Sequence, residues 1–309
     1  MTAAYRFYRH YLLLIGLALS LWAVPARADR FVRMQTSAGT VDMQLFDWAA
    51  PASVDNFMSY VNNGAYDSSW FHRFLHSGND EDGYTPHVLQ GGGYTYDEEN
   101  GYGLVPNYGE MAPEKLLPDI PGSIAMANNT VTQSNQFYFN LTNNTNAFNY
   151  NYTVFGRVNQ ASWINLWNMA SPPAVDQMEY FQDYYPDAWQ AMGEVPEHDP
   201  QPGDSVEDKL CRIFSATELF LLPGDATADG QVDQADAAVL LDNWGWDSWA
   251  ATQFDGDFNF DGKVDLSDAS ILLENWTGSQ PAPAIIPEPT TLCLLSLAGL
   301  GLLRRPRAK

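Results

Sequence analysis

The chain is 309 residues long and carries 38 Asp+Glu against 15 Lys+Arg, a formal net charge of −23. Its length allows two domains at about 100–200 residues each, and a 45% hydrophobic, 14% aromatic composition excludes wholesale disorder. The acidity excludes a duplex nucleic-acid binder, which needs Lys and Arg to displace counterions from phosphates, and two cysteines, Cys211 and Cys293, exclude a disulfide framework or a Cys-rich metal site.

The chain begins with an address. Arg6 and Arg9 precede an apolar run from Tyr11 to Val24, and Ala26-Arg27-Ala28 follows. A positive start, a short apolar core and a small-x-small site predict a signal peptide over residues 1–28, with Asp29 the mature start. The run falls short of the ~20 apolar residues that a membrane anchor needs, so export is expected.

Residues 31–46 alternate apolar and polar side chains and predict two strands joined by a Ser-Ala-Gly turn. From Ala50 to Val61, Pro51 sits at an early helical position and Val54, Phe57, Met58 and Val61 share one helical face. Short apolar runs bounded by Gly, Asn or Pro follow, among them Trp70-Phe71-His72-Arg73, Val88-Leu89-Gln90-Gly91, Gly122 to Asn128, Asn135 to Phe139 and Tyr152 to Val158. This spacing predicts a barrel of strands with few helices. Trp163–Met169 reads as a second helix and Leu210–Leu219 as a closing strand. His72 and His76 share a spacing that could bind a metal, and aromatic residues between Trp163 and Trp189 could form a sugar platform. A buried histidine and a packed helix face with an ordered insertion are the favoured readings.

Five of these segments, Phe71-His72-Arg73, Gln90-Gly91-Gly92, Met126-Ala127-Asn128, Gln136-Phe137 and Val154-Phe155-Gly156, occur in the order found in cyclophilin-type peptidyl-prolyl cis-trans isomerases. Residues 29–222 resemble that family. The resemblance implies a mainly β fold, a closed eight-stranded barrel capped by two helices, with the active groove on its outer face. It places Arg73 on the catalytic arginine, Gln90 and Gln136 on two groove glutamines, and Asn128 on the residue whose backbone holds the peptide. Substrate contacts fall on His87, Val88, Ala127, Tyr138, Phe148 and Tyr152. No cofactor is implied for catalysis, and the partners are proline-containing polypeptides. The pattern departs at His87, where Phe is usual, at Val88, where Met is usual, and at Ala147, which replaces a groove tryptophan beside Phe148. Two insertions, His76–Thr85 and 171–208, lengthen the chain. A barrel that binds proline segments without catalysis, or a matrix scaffold, is the rival reading.

Residues Asp225–Asp236 and Asp257–Asp268 superpose at an offset of 32, and the match runs on to Trp244 and Trp276. Such self-similarity is an internal duplication. Each twelve-residue stretch has oxygen ligands at positions 1, 3, 5 and 12 and Gly at position 6, the layout a calcium loop requires. The candidate ligands are Asp225, Thr227, Asp229, Gln231 (carbonyl) and Asp236, then Asp257, Asn259, Asp261, Lys263 (carbonyl) and Asp268. Val232 and Val264 are expected to pack inward and pair the loops, with Val239, Leu240, Ile271, Leu272 and Leu273 as a buried stripe. With Asp at position 12, residues 223–278 resemble a type I dockerin, a small α loop–helix domain holding two Ca2+ ions. That resemblance implies a cohesin-like or unknown docking partner, although Gln234-Ala235 and Leu266-Ser267 occupy the positions that contact cohesin.

Residues 279–286 read as a linker. Pro287-Glu288-Pro289, the apolar run Leu292–Leu303 and a basic end from Arg304 to Lys309 follow. This tail resembles a PEP-CTERM sorting signal, which implies an exosortase as partner and a place at the cell envelope, cell surface or extracellular matrix of a Gram-negative-type bacterium.

Overall fold

The computed structural model describes residues 29–75, 87–128, 133–148, 150–170, 174–186 and 192–278. The expected leader, linker and sorting tail, and the His76–Thr85 insertion, lie outside the described residues. The strands are β1 (Arg30–Thr36), β2 (Gly39–Leu45), β3 (Ser69–Trp70), β4 (Arg73–Leu75), β5 (Val88–Gly91), β6 (Tyr94–Asp97), β7 (Gly101–Leu104), β8 (Ser123–Asn128), β9 (Gln133–Asn140), β10 (Thr153–Val158) and β11 (Arg212–Leu219). The helices are α1 (Pro51–Asn62), α2 (Thr145–Phe148), α3 (Gln160–Ala170), α4 (Met178–Phe181), α5 (Gln234–Asp242) and α6 (Leu266–Glu274).

All eleven strands join one curled sheet in the order β4-β5-β9-β8-β10-β2-β1-β11-β3-β6-β7. One run of chain joins the β4 edge to β3, which stands third from the opposite edge. Phe71 N donates to Cys211 O (2.8 Å), beside the β3–β11 pairing, and His72 N donates to Gln90 O (3.0 Å), beside the β4–β5 pairing. The count exceeds the expected eight because this run is split into β3 and β4 and the hairpin β6–β7 is added.

Strand period decides what is inside. Phe74, Leu89, Ile124, Met126, Phe137, Phe139 and Phe155 alternate into the main core, where they meet Val54, Phe57, Met58 and Val61 of α1 and Leu166 and Met169 of α3. Successive side chains on a strand point to opposite faces, so the intervening residues line the outer face. Pro51 occupies the first turn of α1, where its missing N–H costs nothing. Fully burying Phe57 contributes roughly 1.5–3 kcal/mol and also locks α1 onto the sheet, since its ring packs edge-on to Phe137 at 5.5 Å.

The duplicated segment forms two loop–helix units around Ala226, Val232, Leu240, Phe258, Val264 and Leu272. Val232 and Val264 are buried as expected, but each pairs with the segment after the other unit's helix and not with its counterpart. Thr277 N donates to Val232 O (2.9 Å), and Val264 N donates to Trp246 O (2.9 Å). Leu273 is corrected from buried to 68% exposed, because it lies about 100° around the helix from Leu272, which holds the inward position.

This unit is docked on the sheet. Arg157 Nη1 on β10 donates to Ala250 O (2.8 Å) and to Asp255 Oδ2 (2.9 Å), and its guanidinium lies 5.4 Å from the Trp246 ring. Gln253 N donates to Gln44 Oε1 at 2.8 Å in a buried bond. Phe31 meets Phe254 edge-on at 5.8 Å.

Candidate active site

The outer face of β4, β5, β9 and β8 gathers the expected groove. Arg73 is in register with Gln90, and Gln90 with Tyr138. Gln90 Nε2 donates to Gln136 Oε1 at 2.7 Å. Between the Met126–Phe137 and Asn128–Gln133 pairs the register shifts, so Ala127 faces three residues of β9, Gln136 among them. Asn128 ends β8. The turn after Gln90 depends on glycine: Gly92 has φ +80°, and a Cβ there would lie 2.5 Å from Asn135 O and 2.9 Å from the Phe137 ring.

Beside these polar groups lies an apolar patch of Val88 and Tyr138, with Ala127, Phe148 and Tyr152 packed against it. The Phe148 ring is 5.6 Å from Tyr138 and 4.9 Å from Tyr152, so Phe148 supplies an aromatic wall next to exposed Ala147. His87 is placed elsewhere. It shares the parity of Leu89, and its ring lies 6.3 Å from Phe74 and 6.1 Å from Trp167, on the face opposite Val88.

Sequence reasoning missed the buried floor of this patch. Tyr138 Oη donates to Asp119 Oδ1 (2.7 Å), and Asn140 Nδ2 donates to the same oxygen (3.2 Å) and to Ser123 Oγ (2.9 Å). Asn144 Nδ2 donates to Asn140 Oδ1 (2.7 Å). Asp119 is fully buried and its Oδ2 has no partner. Burial holds its carboxyl above the usual carboxylate value, against the bonds from Tyr138 and Asn140 that favour the charge. Asp119 sits in a stretch without strand or helix period, so no sequence signal marks it.

His72 is a structural histidine. It is buried, its ring lies 4.7 Å from Tyr94, and burial, reinforced by the Arg73 charge, lowers its pKa to about 3. In the aromatic insertion Phe181, Tyr185, Met192 and Val195 pack in one cluster with Trp70 and Tyr94, Tyr184 stays exposed, and Trp189 lies outside the described residues. Cys211 is buried and unpaired, and burial raises its thiol pKa.

In the twin loops the carboxylates turn onto backbone amides. Asp236 Oδ1 accepts from Ala226 N, Thr227 N and Thr227 Oγ1 at 2.9–3.0 Å, while Oδ2 accepts from Asp233 N (2.8 Å). Asp268 repeats this with Phe258 N, Asn259 N and Asp265 N. Asp233 and Asp265 are N-caps, and Asp236 and Asp268 complete capping boxes. Asp225 accepts from Asp229 N and Gly230 N, and Asp257 from Asp261 N and Gly262 N. Asn259 Nδ2 donates to Asp261 Oδ2. Gln231 N and Lys263 N donate to the position-5 carboxylates Asp229 and Asp261. Among the described residues no three His, Cys, Asp or Glu side chains gather closely enough to hold a metal ion.

An arginine and two glutamines stand at the rim of an apolar patch on the outside of a curled antiparallel sheet. The family model described as cyclophilin type peptidyl-prolyl cis-trans isomerase matches residues 31–176. The chain is 31% identical over 138 residues to a peptidyl-prolyl cis-trans isomerase of Streptomyces antibioticus, covering 42% of this chain and 76% of that protein. It is 33% identical over 144 residues to peptidyl-prolyl cis-trans isomerase A of Dickeya dadantii, covering 44% and 69%. A solved cyclophilin-type isomerase from Cryptosporidium parvum is similar over 63% of this chain and 99% of that one, at 19% identity and a TM-score of 0.42. The chain belongs to the cyclophilin-type peptidyl-prolyl cis-trans isomerases.

Proposed function

We propose that this isomerase turns X–Pro bonds of exported polypeptides, with Arg73 as its catalytic residue. The observation that carries the reading is the row Arg73, Gln90 and Gln136 beside Val88, Tyr138 and Phe148. The apolar patch suits a prolyl ring, and the glutamines and the Asn128 backbone suit the flanking peptide groups. Amide resonance sets a barrier of ~18–20 kcal/mol, while the two X–Pro isomers differ by only ~0.5–1 kcal/mol. The enzyme therefore needs to stabilise only the twisted state. A guanidinium donating to the prolyl nitrogen does this, because that nitrogen becomes a better acceptor once its lone pair leaves the amide system. Arg stays protonated and presents a planar fork of donors. A protease-coupled assay on an Ala-Pro peptide tests the assignment: Arg73→Ala should lose about 100-fold in rate, the scale of removing one preorganised donor. A variant as fast as the parent defeats it.

Export and display complete the reading. The leader motif supports export and the tail motif supports exosortase handling at the envelope. The twin loops support a calcium-stabilised module, since their donors are all oxygen and suit a hard cation. Asp225, Thr227, Asp229, the Gln231 carbonyl and Asp236 would hold one ion. Asp257, Asn259, Asp261, the Lys263 carbonyl and Asp268 would hold the other. The position-12 charge bears on its partner in each loop: burial first, then Asp268, raises Asp257 to about 6, and Asp225 is raised by burial and by Asp236. Gln234, Ala235, Leu266 and Ser267 are exposed at the starts of α5 and α6 and form the candidate docking surface.

A further inference from the structure

The insertion after α3 reaches the catalytic strand. β4 is an edge of the sheet, and Phe74 N donates to Glu194 O across 2.7 Å, so the insertion extends the ladder by one contact. The segment carrying Glu194 is fixed from behind. Val175 and Val195 exchange backbone bonds of 2.9 and 3.0 Å, Gln177 N donates to Met192 O (2.9 Å), and Glu197 bridges Leu210. Met192 and Val195, on either side of Glu194, are buried among Trp70, Phe181 and Tyr185. Glu194 itself remains at the rim, where its Oε2 accepts from Arg73 Nε at 3.0 Å with side-chain exposures of 39% for Arg73 and 35% for Glu194.

We propose that Glu194 is a positioning residue for Arg73, supplied by this chain's own insertion. The inference rests on the catalytic assignment of Arg73. A guanidinium has five N–H donors, and the pair uses Nε, the donor nearest the flexible stem. Holding Nε fixes the plane of the fork, so Nη1 and Nη2 need not be ordered as the peptide twists. Two effects oppose each other. The carboxylate weakens the guanidinium as a donor by partly neutralising it, while fixing its orientation removes an entropic cost at the transition state. Water screens the charge effect at a half-exposed pair, whereas the gain in orientation is not screened, so orientation wins. The same exposure means that the pair contributes little to folding.

The test uses the full chain. Glu194→Ala should lower kcat about tenfold, the effect expected from a loosened catalytic group, with KM within about twofold and an unchanged melting midpoint. Glu194→Gln, which keeps an acceptor oxygen, should fall between parent and Ala variant. In an Arg73→Ala background, Glu194→Ala should change nothing further. By NMR, the Arg73 Nε–H resonance, assigned by its loss in Arg73→Lys, should be slow to exchange in the parent and fast in Glu194→Ala. This exchange readout stands even if one variant is poorly stable. Should Arg73→Ala remain active, the catalytic reading itself fails. Should Arg73→Ala be inactive while Glu194→Ala and Glu194→Gln match or exceed the parent rate, the positioning role alone is overturned.

Discussion

In the groove, Gln90 meets Gln136 at 2.7 Å and Arg73 lies in register with Gln90, all through strand pairing. In the twin loops the acidic side chains are equally regular in sequence, yet they fold back onto the amides of their own loops. The groove is completed by the ladder, whose geometry needs no charge to be neutralised. The loops place two buried carboxylates in each turn, and burial, followed by the charge of the position-12 carboxylate, raises the proton affinity of Asp225 and Asp257. One arrangement is held by strand pairing, and the other by carboxylates satisfied on their own backbone.

Glycine gives the sharpest contrast. Gly92 and Gly230 have nearly the same φ, +80° and +84°, but a Cβ at Gly92 would strike Asn135 O at 2.5 Å while one at Gly230 meets nothing within 4 Å. Gly230→Ala should cost only the left-handed strain of about 1–2 kcal/mol. Gly92→Ala adds overpacking of about 1–3 kcal/mol in the same turn and should abolish isomerase activity. Denaturant titrations giving equal losses for both variants would show that the groove is no more rigid than the loops.

Calcium should move only the loops. An ion at 100 times its dissociation constant stabilises by about 2.7 kcal/mol, which for a unit of under 100 residues raises the melting midpoint by about 10–20 °C. Asp257→Asn with Asp268→Asn should remove the second loop's share of the shift and leave the Ala-Pro rate intact, and adding Asp225→Asn with Asp236→Asn should remove the rest. The sign with pH follows from Asp257. Its folded pKa of about 6 exceeds its ordinary value, so without calcium its contribution is full below that ordinary value and is lost as pH rises through about 6. Calcium, which prefers the ionised form, should reverse that slope. Identical melting in calcium and in chelator would end the metal reading.

Much of this was legible in the chain, and the reason is local. Strand period alone separates Leu89, Phe137 and Phe139 from Val88, Gln136 and Tyr138. The 3.6-residue period likewise anticipates Val54, Phe57, Met58 and Val61 in the core. His87 is assigned by resemblance, and its ring lies near Phe74 and Trp167, which strand period alone does not anticipate. Glu194 and Asp119 were illegible for a different reason. Glu194 lies 121 residues from Arg73 in an insertion without period, and Asp119 joins Tyr138 and Asn140 through tertiary closure alone.

Asp119 tests the patch floor. Asp119→Ala strands the Tyr138 hydroxyl and Asn140 amide and should cost about 1–3 kcal/mol, together with activity as the Tyr138 ring loosens. Asp119→Asn keeps the acceptor. Because the folded state holds the Asp119 proton more tightly than the unfolded chain, the parent loses stability as pH rises through the folded pKa. Asp119→Asn, which does not titrate, should therefore gain on the parent as pH rises through the folded pKa of the carboxyl. A difference between the two that stays constant with pH would mean that burial does not raise Asp119.

The smallest effect concerns the seam between the two regions. Arg157 serves the loop unit three ways, through Asp255, the Ala250 carbonyl and the Trp246 face, with only 18% of its side chain exposed. A charge-assisted pair of this kind, with its stem covered, exceeds the 0–1 kcal/mol of an exposed ion pair, so Arg157→Ala should cost about 1–2 kcal/mol. Because Trp249 of the same seam packs on Phe46 at 6.2 Å, in the cluster that also holds Val88 and Tyr138, loosening the seam should slow isomerisation by no more than about twofold. If Arg157→Ala leaves the melting midpoint unmoved, the loop unit is merely tethered to the sheet. If it melts the loop unit in a separate earlier transition, the two regions are distinct cooperative units joined by this arginine.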